Sequence, residues 1–235
     1  MLLLAGVAVF GYIVWQPWYT GVVVAGQQVE RSAQISAAWQ SEAEATADAD
    51  EAQPAWSGEV PVVATPAATV DFGVLYVPAF DPVFANPISE GVSEWGVLNP
   101  AEKGIGRYET TQMPGEPGNF ALAAHRSGAF TTPFRHVMNL RVGDPLFVET
   151  EAGWYTYRFR SIEFVLPHEN DVLLPFPRVS GVPGEDQILT LTTCHPEDLG
   201  IDERAIAYSV FESFQPRSEG PPAELVQLNP NVTGA

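Results

Sequence analysis

The sequence predicts a mostly-β fold: a closed barrel or sandwich of about 145 residues, reached through an apolar helix and an acidic spacer. Three observations carry this. With 21 Pro and 20 Gly in 235 residues, the chain is rich in turns. Between residues 69 and 214, short β-branched and aromatic runs recur, each closed by Gly, Pro or Asp. Helical material in that region is confined to residues 88–97 and a turn near 134–140. No internal repeat is visible.

Composition narrows the function. Apolar residues make up 46%, enough to bury a core, while only 17% are charged. The charges are lopsided, 29 acidic against 11 basic, for a net −18. Nucleic acid is therefore not a partner, since phosphate binding needs Lys and Arg to release counterions. Docking on anionic lipid by charge is disfavoured for the same reason. A single Cys excludes an internal disulfide and any multi-cysteine metal site.

Residues 1–26 contain no charged side chain. The run MLLLAGVAVFGYIVW and the later TGVVVAG supply close to the roughly 20 apolar residues of a bilayer-spanning helix. Trp15, Trp18 and Tyr19 cluster near one end, as interfacial aromatics do. A cleaved signal peptide, with Val23-Val24-Ala25 near the site, is the alternative. It should open on basic residues, and the first base is Arg31, so an uncleaved transmembrane anchor is the better reading. Residues 27–56 then hold six acids (Glu30, Glu42, Glu44, Asp48, Asp50 and Glu51) against Arg31. Val29, Ile35 and Trp39 have a weak helical spacing, but low apolar content and like charge point to a solvated stalk over residues 27–68. Pro54, Pro61 and Pro66 punctuate its approach to the domain. Residues 215–235 read as a flexible Pro/Gly-rich tail.

The strands follow in order: FGVLYVP (72–78), NFALAAH (119–125), PLFVET (145–150), GWYTYRFRSIEFVLP (153–167), QILTLTT (187–193) and AIAYSVF (205–211). Glu151-Ala152-Gly153 joins two of them as a hairpin turn. Apolar positions alternate along both arms, as a half-buried sheet requires.

Cys194 ends the strand TLTTCHP. A lone Cys is often a small buried hydrophobe. Here Thr190, Thr192 and Thr193 surround it, and His195-Pro196 turns the chain out of the sheet, which favours a nucleophile. A thiol nucleophile needs an imidazole and a group for the developing oxyanion. His136 and His168 read as surface residues. His195 adjoins Cys194, and neighbours on a strand point to opposite faces. His125 ends an independent strand, the same placement as Cys194, and is the better base. Arg204 opens AIAYSVF ten residues beyond the Cys; it is either the cation of the site or a rim salt-bridge partner of Asp202 or Glu203.

FALAAHRSG, LTLTTCHP and ERAIAYSV together resemble the His, TLxTC and Arg motifs of sortases. GVLYVP, GIGRYETTQMPGEPGNFAL, the VGDPLFVET–GWYTY hairpin and ENDVLLPFP resemble the class E branch of Gram-positive actinobacteria. The likeness runs in order over about residues 69–213. It implies a sortase-like closed barrel of about eight strands with short helices, here over residues 69–214. By position, Cys194 is implied as nucleophile, His125 as general acid/base and Arg204 as the oxyanion and substrate-positioning residue. Thr193 and Thr192 are implied as substrate contacts.

Two departures from the family pattern stand out: Ala124 where Gly usually precedes the His, and an acidic EDLGIDE loop between Cys and Arg. The implied activity is cleavage of the Thr–Gly bond in an LAxTG- or LPxTG-like sorting signal through a thioacyl intermediate. The acyl group then passes to an amine of a peptidoglycan precursor. No cofactor or metal is implied, and the location is the plasma membrane with the catalytic domain outside. Two other classes remain open on the residues alone: another extracytoplasmic Cys peptidase or transpeptidase of wall peptides, and a non-catalytic membrane-tethered β-domain.

Overall fold

Period-2 alternation decides this architecture. The computed structural model describes residues 2–48, 58–128, 130–181, 184–197 and 202–233. Eight strands close a barrel: β1 (Asp71–Tyr76), β2 (Ala85–Glu90), β3 (Ile105–Arg107), β4 (Gly118–Ala124), β5 (Pro145–Glu149), β6 (Gly153–Val165), β7 (Gln187–His195) and β8 (Glu203–Pro216). Their order around it is β1-β2-β3-β4-β7-β8-β6-β5, and β5 pairs back onto β1. Phe120, Leu122 and Ala124 of β4, Leu189 and Leu191 of β7, and Ala205 and Ala207 of β8 all join one internal core. The alternate positions of these strands therefore face outward.

Most pairings are antiparallel, but β2–β3 and β4–β7 are parallel. A parallel pair cannot be joined by a tight turn. The chain between β4 and β7 accordingly lays down the β5–β6 hairpin on the far side before returning. That hairpin turns at the expected residues: Glu149 pairs with Trp154, and the Thr150 N–H donates to the Gly153 carbonyl at 2.8 Å.

Six strands coincide with runs legible in the sequence, and two do not. The expected helix at residues 88–97 is split between β2, buried along its whole length, and a π-helical turn, Glu94–Leu98. β2 contains Pro87 and is buried throughout, so it never displays the alternation that identifies a half-exposed strand.

The N-terminal region also differs from expectation. α1 (Leu2–Trp18) is apolar but only 17 residues long, and it continues through a π-helical stretch, Tyr19–Val24. Among the described residues, no helix is long and apolar enough to cross a membrane. Residues expected as a solvated stalk instead form α2 (Ala25–Asp48), which leans on the barrel. Ile35 packs with Val74, Tyr76, Phe147, Trp154 and Leu225, flanked by Val29 and Trp39. A stripe this narrow is enough to dock a helix, while Glu30, Glu42 and Glu44 keep to the exposed side. The stretch 49–57 lies outside the described residues.

Polar contacts fix the docking. Arg31 pairs with Asp71 at 3.0 Å. Buried Glu149 accepts from Ser36 and Tyr76 hydroxyls, each at 2.6 Å, and from Arg217 at 2.9 Å. The tail is ordered by the same cluster: Arg217 lies against the rings of Trp39 and Trp154, and Leu225 of α3 (Ala223–Leu228) is fully buried.

Candidate active site

Register brings the three sequence candidates to one end of the barrel. Cys194 on β7 pairs directly with Arg204 on β8. Directly opposed residues of an antiparallel pair share a face, with Cβ atoms about 5 Å apart. On the other side of β7, the parallel ladder pairs Ala121 with Thr190 and Ala123 with Thr192. Continuing that register by two residues brings His125 level with Cys194. Ala124, Leu191 and Ala205 point inward, so His125, Cys194 and Arg204 share the outward parity. Ala124, which replaces the expected Gly, packs its methyl into the core.

The last contacts between β4 and β7 hold their ends together. The Thr193 hydroxyl donates to the Ala124 carbonyl at 2.8 Å. Thr193 thus sits on the inner parity and spends its hydroxyl on the sheet rather than on the outward face. Thr192 is on the outward face, within 3.0 Å of the Tyr108 hydroxyl. Beyond the strands, Arg126 donates to His195 Nδ1 at 2.7 Å, and the His195 ring lies on Phe164 with centroids 4.2 Å apart. The residues following His125 and Cys194 are therefore bonded to each other. Arg126 is 6% exposed, and its Nε has no partner among the described residues. This arrangement commits the His195 ring to Arg126 and Phe164.

His125 is partly buried, and its Nε2 is 2.8 Å from Asn99 Oδ1. With Nε2 as donor, Nδ1 is left as the nitrogen free to exchange a proton with a thiol. Burial lowers the His125 pKa below its ordinary value, partly opposed by the negative charge of Glu94. Asn99 closes the Glu94–Leu98 turn, where its backbone N–H donates to the Glu94 carbonyl at 2.8 Å. Sequence reasoning missed Asn99. It lies 26 residues before His125, in a loop with no catalytic signature.

The outward face beside these strand ends is also tied down. Thr190 donates to Asn119 Oδ1 at 2.6 Å, and Asn119 Nδ2 donates to the carbonyls of Val172 and Leu174. The β6–β7 connection is thereby held over the outward face, where Val172 packs on Val165 and Ile206. Arg178 clamps the same connection through Glu163, Glu169 and Asp171. Arg204 donates to the Glu203 carbonyl at 3.0 Å. In the acidic loop, Glu197 pairs with Arg135 at 3.1 Å, and residues 198–201 lie outside the described residues. A cavity of about 930 Å³ opens elsewhere, between α2 and the β5–β6 turn, and it contains none of these groups.

Known proteins resemble this chain in sequence and fold. A model of the Sortase domain matches residues 75–212. Sortase SrtE1 of Streptomyces coelicolor is 31% identical over 227 residues, 94% of this chain; the chain spans 58% of that curated relative's length. Among solved structures, SrtA sortase from Actinomyces oris is 34% identical with a TM-score of 0.66, covering 75% of this chain and 98% of its own. Sortase E1 from Streptomyces coelicolor, solved with a tripeptide in the active site, is 35% identical with a TM-score of 0.59, over 67% of this chain and 97% of its own.

Proposed function

Because this chain belongs to the sortase family and matches its class E members, we propose that it is a cysteine transpeptidase that sorts surface proteins to the cell wall. The observation that carries the reading is the shared outward parity of His125, Cys194 and Arg204 at adjoining strand ends.

In the first half-reaction the Cys194 thiolate adds to the Thr carbonyl of an LAxTG- or LPxTG-like signal. Arg204 serves the oxygen on which negative charge develops. As the C–N bond breaks, His125 passes its proton to the departing glycine amine, leaving a thioester and a neutral imidazole. Asn99 holds the ring by Nε2 throughout. An amine of a peptidoglycan precursor then attacks the thioester, forms the new amide and releases the thiolate. The tripeptide seated in the active site of the Streptomyces relative supports a peptide substrate.

Residues 1–26 attach the enzyme to the membrane, with the domain at 69–214 outside the cell; the charge-free run supports this. A membrane-impermeant thiol reagent on intact, wall-stripped cells should reach Cys194. Labelling only after lysis would overturn the topology.

The activity is tested with a fluorescent LAxTG peptide and added glycine peptides. Mass spectrometry should show the acyl part as an amide of the acceptor, in a yield that rises with acceptor concentration. Cys194→Ala and His125→Ala should each abolish turnover. If only the free Thr carboxylate forms at every acceptor concentration, the enzyme is a protease.

A further inference from the structure

Two exposed aromatic rings meet between the turn that carries Asn99 and the segment that follows His125. Trp95, 74% exposed, lies on the Glu94–Leu98 turn that ends in Asn99; Phe130, 45% exposed, lies on the segment following His125. Their rings meet edge to face with centroids 5.6 Å apart at 81°. Large aromatics left this open to water carry a cost unless something covers them. Beside Trp95 stands Glu94, an exposed carboxylate with no ion-pair partner among the described residues. Glu94 is close enough for its charge to act on His125. The basic side chain next to the base, Arg126, is committed to His195.

Aromatic faces and an unpaired carboxylate together attract a cation, the first through the ring quadrupole and the second by charge. In the transfer proposed above, one reactant is a cation at neutral pH: the acyl acceptor, an aliphatic primary amine that arrives as an ammonium.

We propose that Glu94, Trp95 and Phe130 form the subsite that collects the acceptor's ammonium group beside His125. The proposal rests on the transferase reading. The ammonium loses one proton to solvent to become the free amine. It loses the second to neutral His125 as the C–N bond forms and the C–S bond breaks. The thiolate and the imidazolium are then restored together. Drawing the amine to the base's own side of the thioester favours it over water by position, which is how a transferase suppresses hydrolysis.

Choline and its neutral isostere 3,3-dimethylbutan-1-ol serve as unreactive probes. Choline should inhibit transfer competitively against glycinamide and not against the LAxTG peptide, while the isostere inhibits at least about twofold more weakly. Trp95→Leu should raise the KM for glycinamide about two- to fivefold, as expected for losing one exposed cation–π contact. The same variant should leave the KM for the peptide unmoved. Glu94→Gln should act in the same direction. In Cys194→Ala protein without peptide, choline and not the isostere should shift the Trp95 indole N–H resonance. A wild-type enzyme that cleaves the peptide but shows equal inhibition by the two probes, or an unaltered glycinamide KM in both variants, overturns the subsite. A wild-type enzyme that cleaves no peptide overturns the transferase reading instead.

Discussion

Replacing Asn99 by Ala removes the side-chain hydrogen bond at His125 Nε2, 2.8 Å long and the one there among the described residues. While His125 is neutral, such a bond contributes about 1 kcal/mol; once the ring is protonated the bond is charge-assisted and contributes about 1.5–3 kcal/mol. Only the part that differs between ground and transition state enters the rate. That difference, about 0.5–2 kcal/mol, is roughly a two- to thirtyfold loss in kcat/KM. A freed imidazole also loses orientation, which adds to the loss. Roughly tenfold or somewhat more is the expected total. Stability should hardly change, because the Asn99 backbone N–H keeps its bond to the Glu94 carbonyl. Asn99→Asp should instead raise the proton affinity of His125 by placing a carboxylate on Nε2–H. The assay is steady-state cleavage of the fluorescent peptide, with the His125 ring tautomer read by nitrogen NMR. A rate within twofold of wild type, or a loss confined to the peptide KM, would refute an orienting role for Asn99.

Three further outcomes can be checked. Arg217→Met leaves Glu149, 1% exposed, as a buried carboxylate without its cation. Breaking such a pair costs about 3–5 kcal/mol, so thermal denaturation should show Tm falling by on the order of 10 °C, with Glu149→Leu/Arg217→Met recovering much of it. His125 should titrate below pH 6.5 by NMR in Cys194→Ala protein, and lower still with Glu94→Gln, since that carboxylate raises its pKa. Because the folded-state pKa is the lower one, the unfolded chain binds more protons between the two values. The stability linked to neutral His125 is therefore present above about pH 6.5 and lost as pH falls through the folded value. His195→Ala strands the buried Arg126 guanidinium; chemical denaturation should show a loss of roughly 1–3 kcal/mol, while peptide cleavage continues at a substantial rate.

Local sterics leave a record in the order of residues, and much of the site could be read from it. In QILTLTTCH the alternation of apolar and polar positions already assigns Leu189 and Leu191 to the core and Thr190, Thr192 and Cys194 to the other face. The same rule separates His125 from Arg126 and Cys194 from His195, which is why the parity of His125 could be read before any pairing was known. Turn chemistry at residues 151–153 and strand-ending His and Cys were equally local.

What the tertiary structure alone decided is which strands become neighbours. β4 and β7 are separated by the whole β5–β6 hairpin, and their parallel pairing puts His125 level with Cys194. Barrel closure and burial select that pairing, and no local pattern encodes it. Asn99 is positioned by a turn whose contact with His125 exists only once β3 and β4 are paired. β2 escaped detection because it is buried along its entire length, so no periodicity marks it. α2 and the tail escaped for the opposite reason. Their apolar stripes are too thin to predict a core, and they become ordered only against Glu149, Trp154 and the barrel wall, a surface that does not exist until the strands have closed.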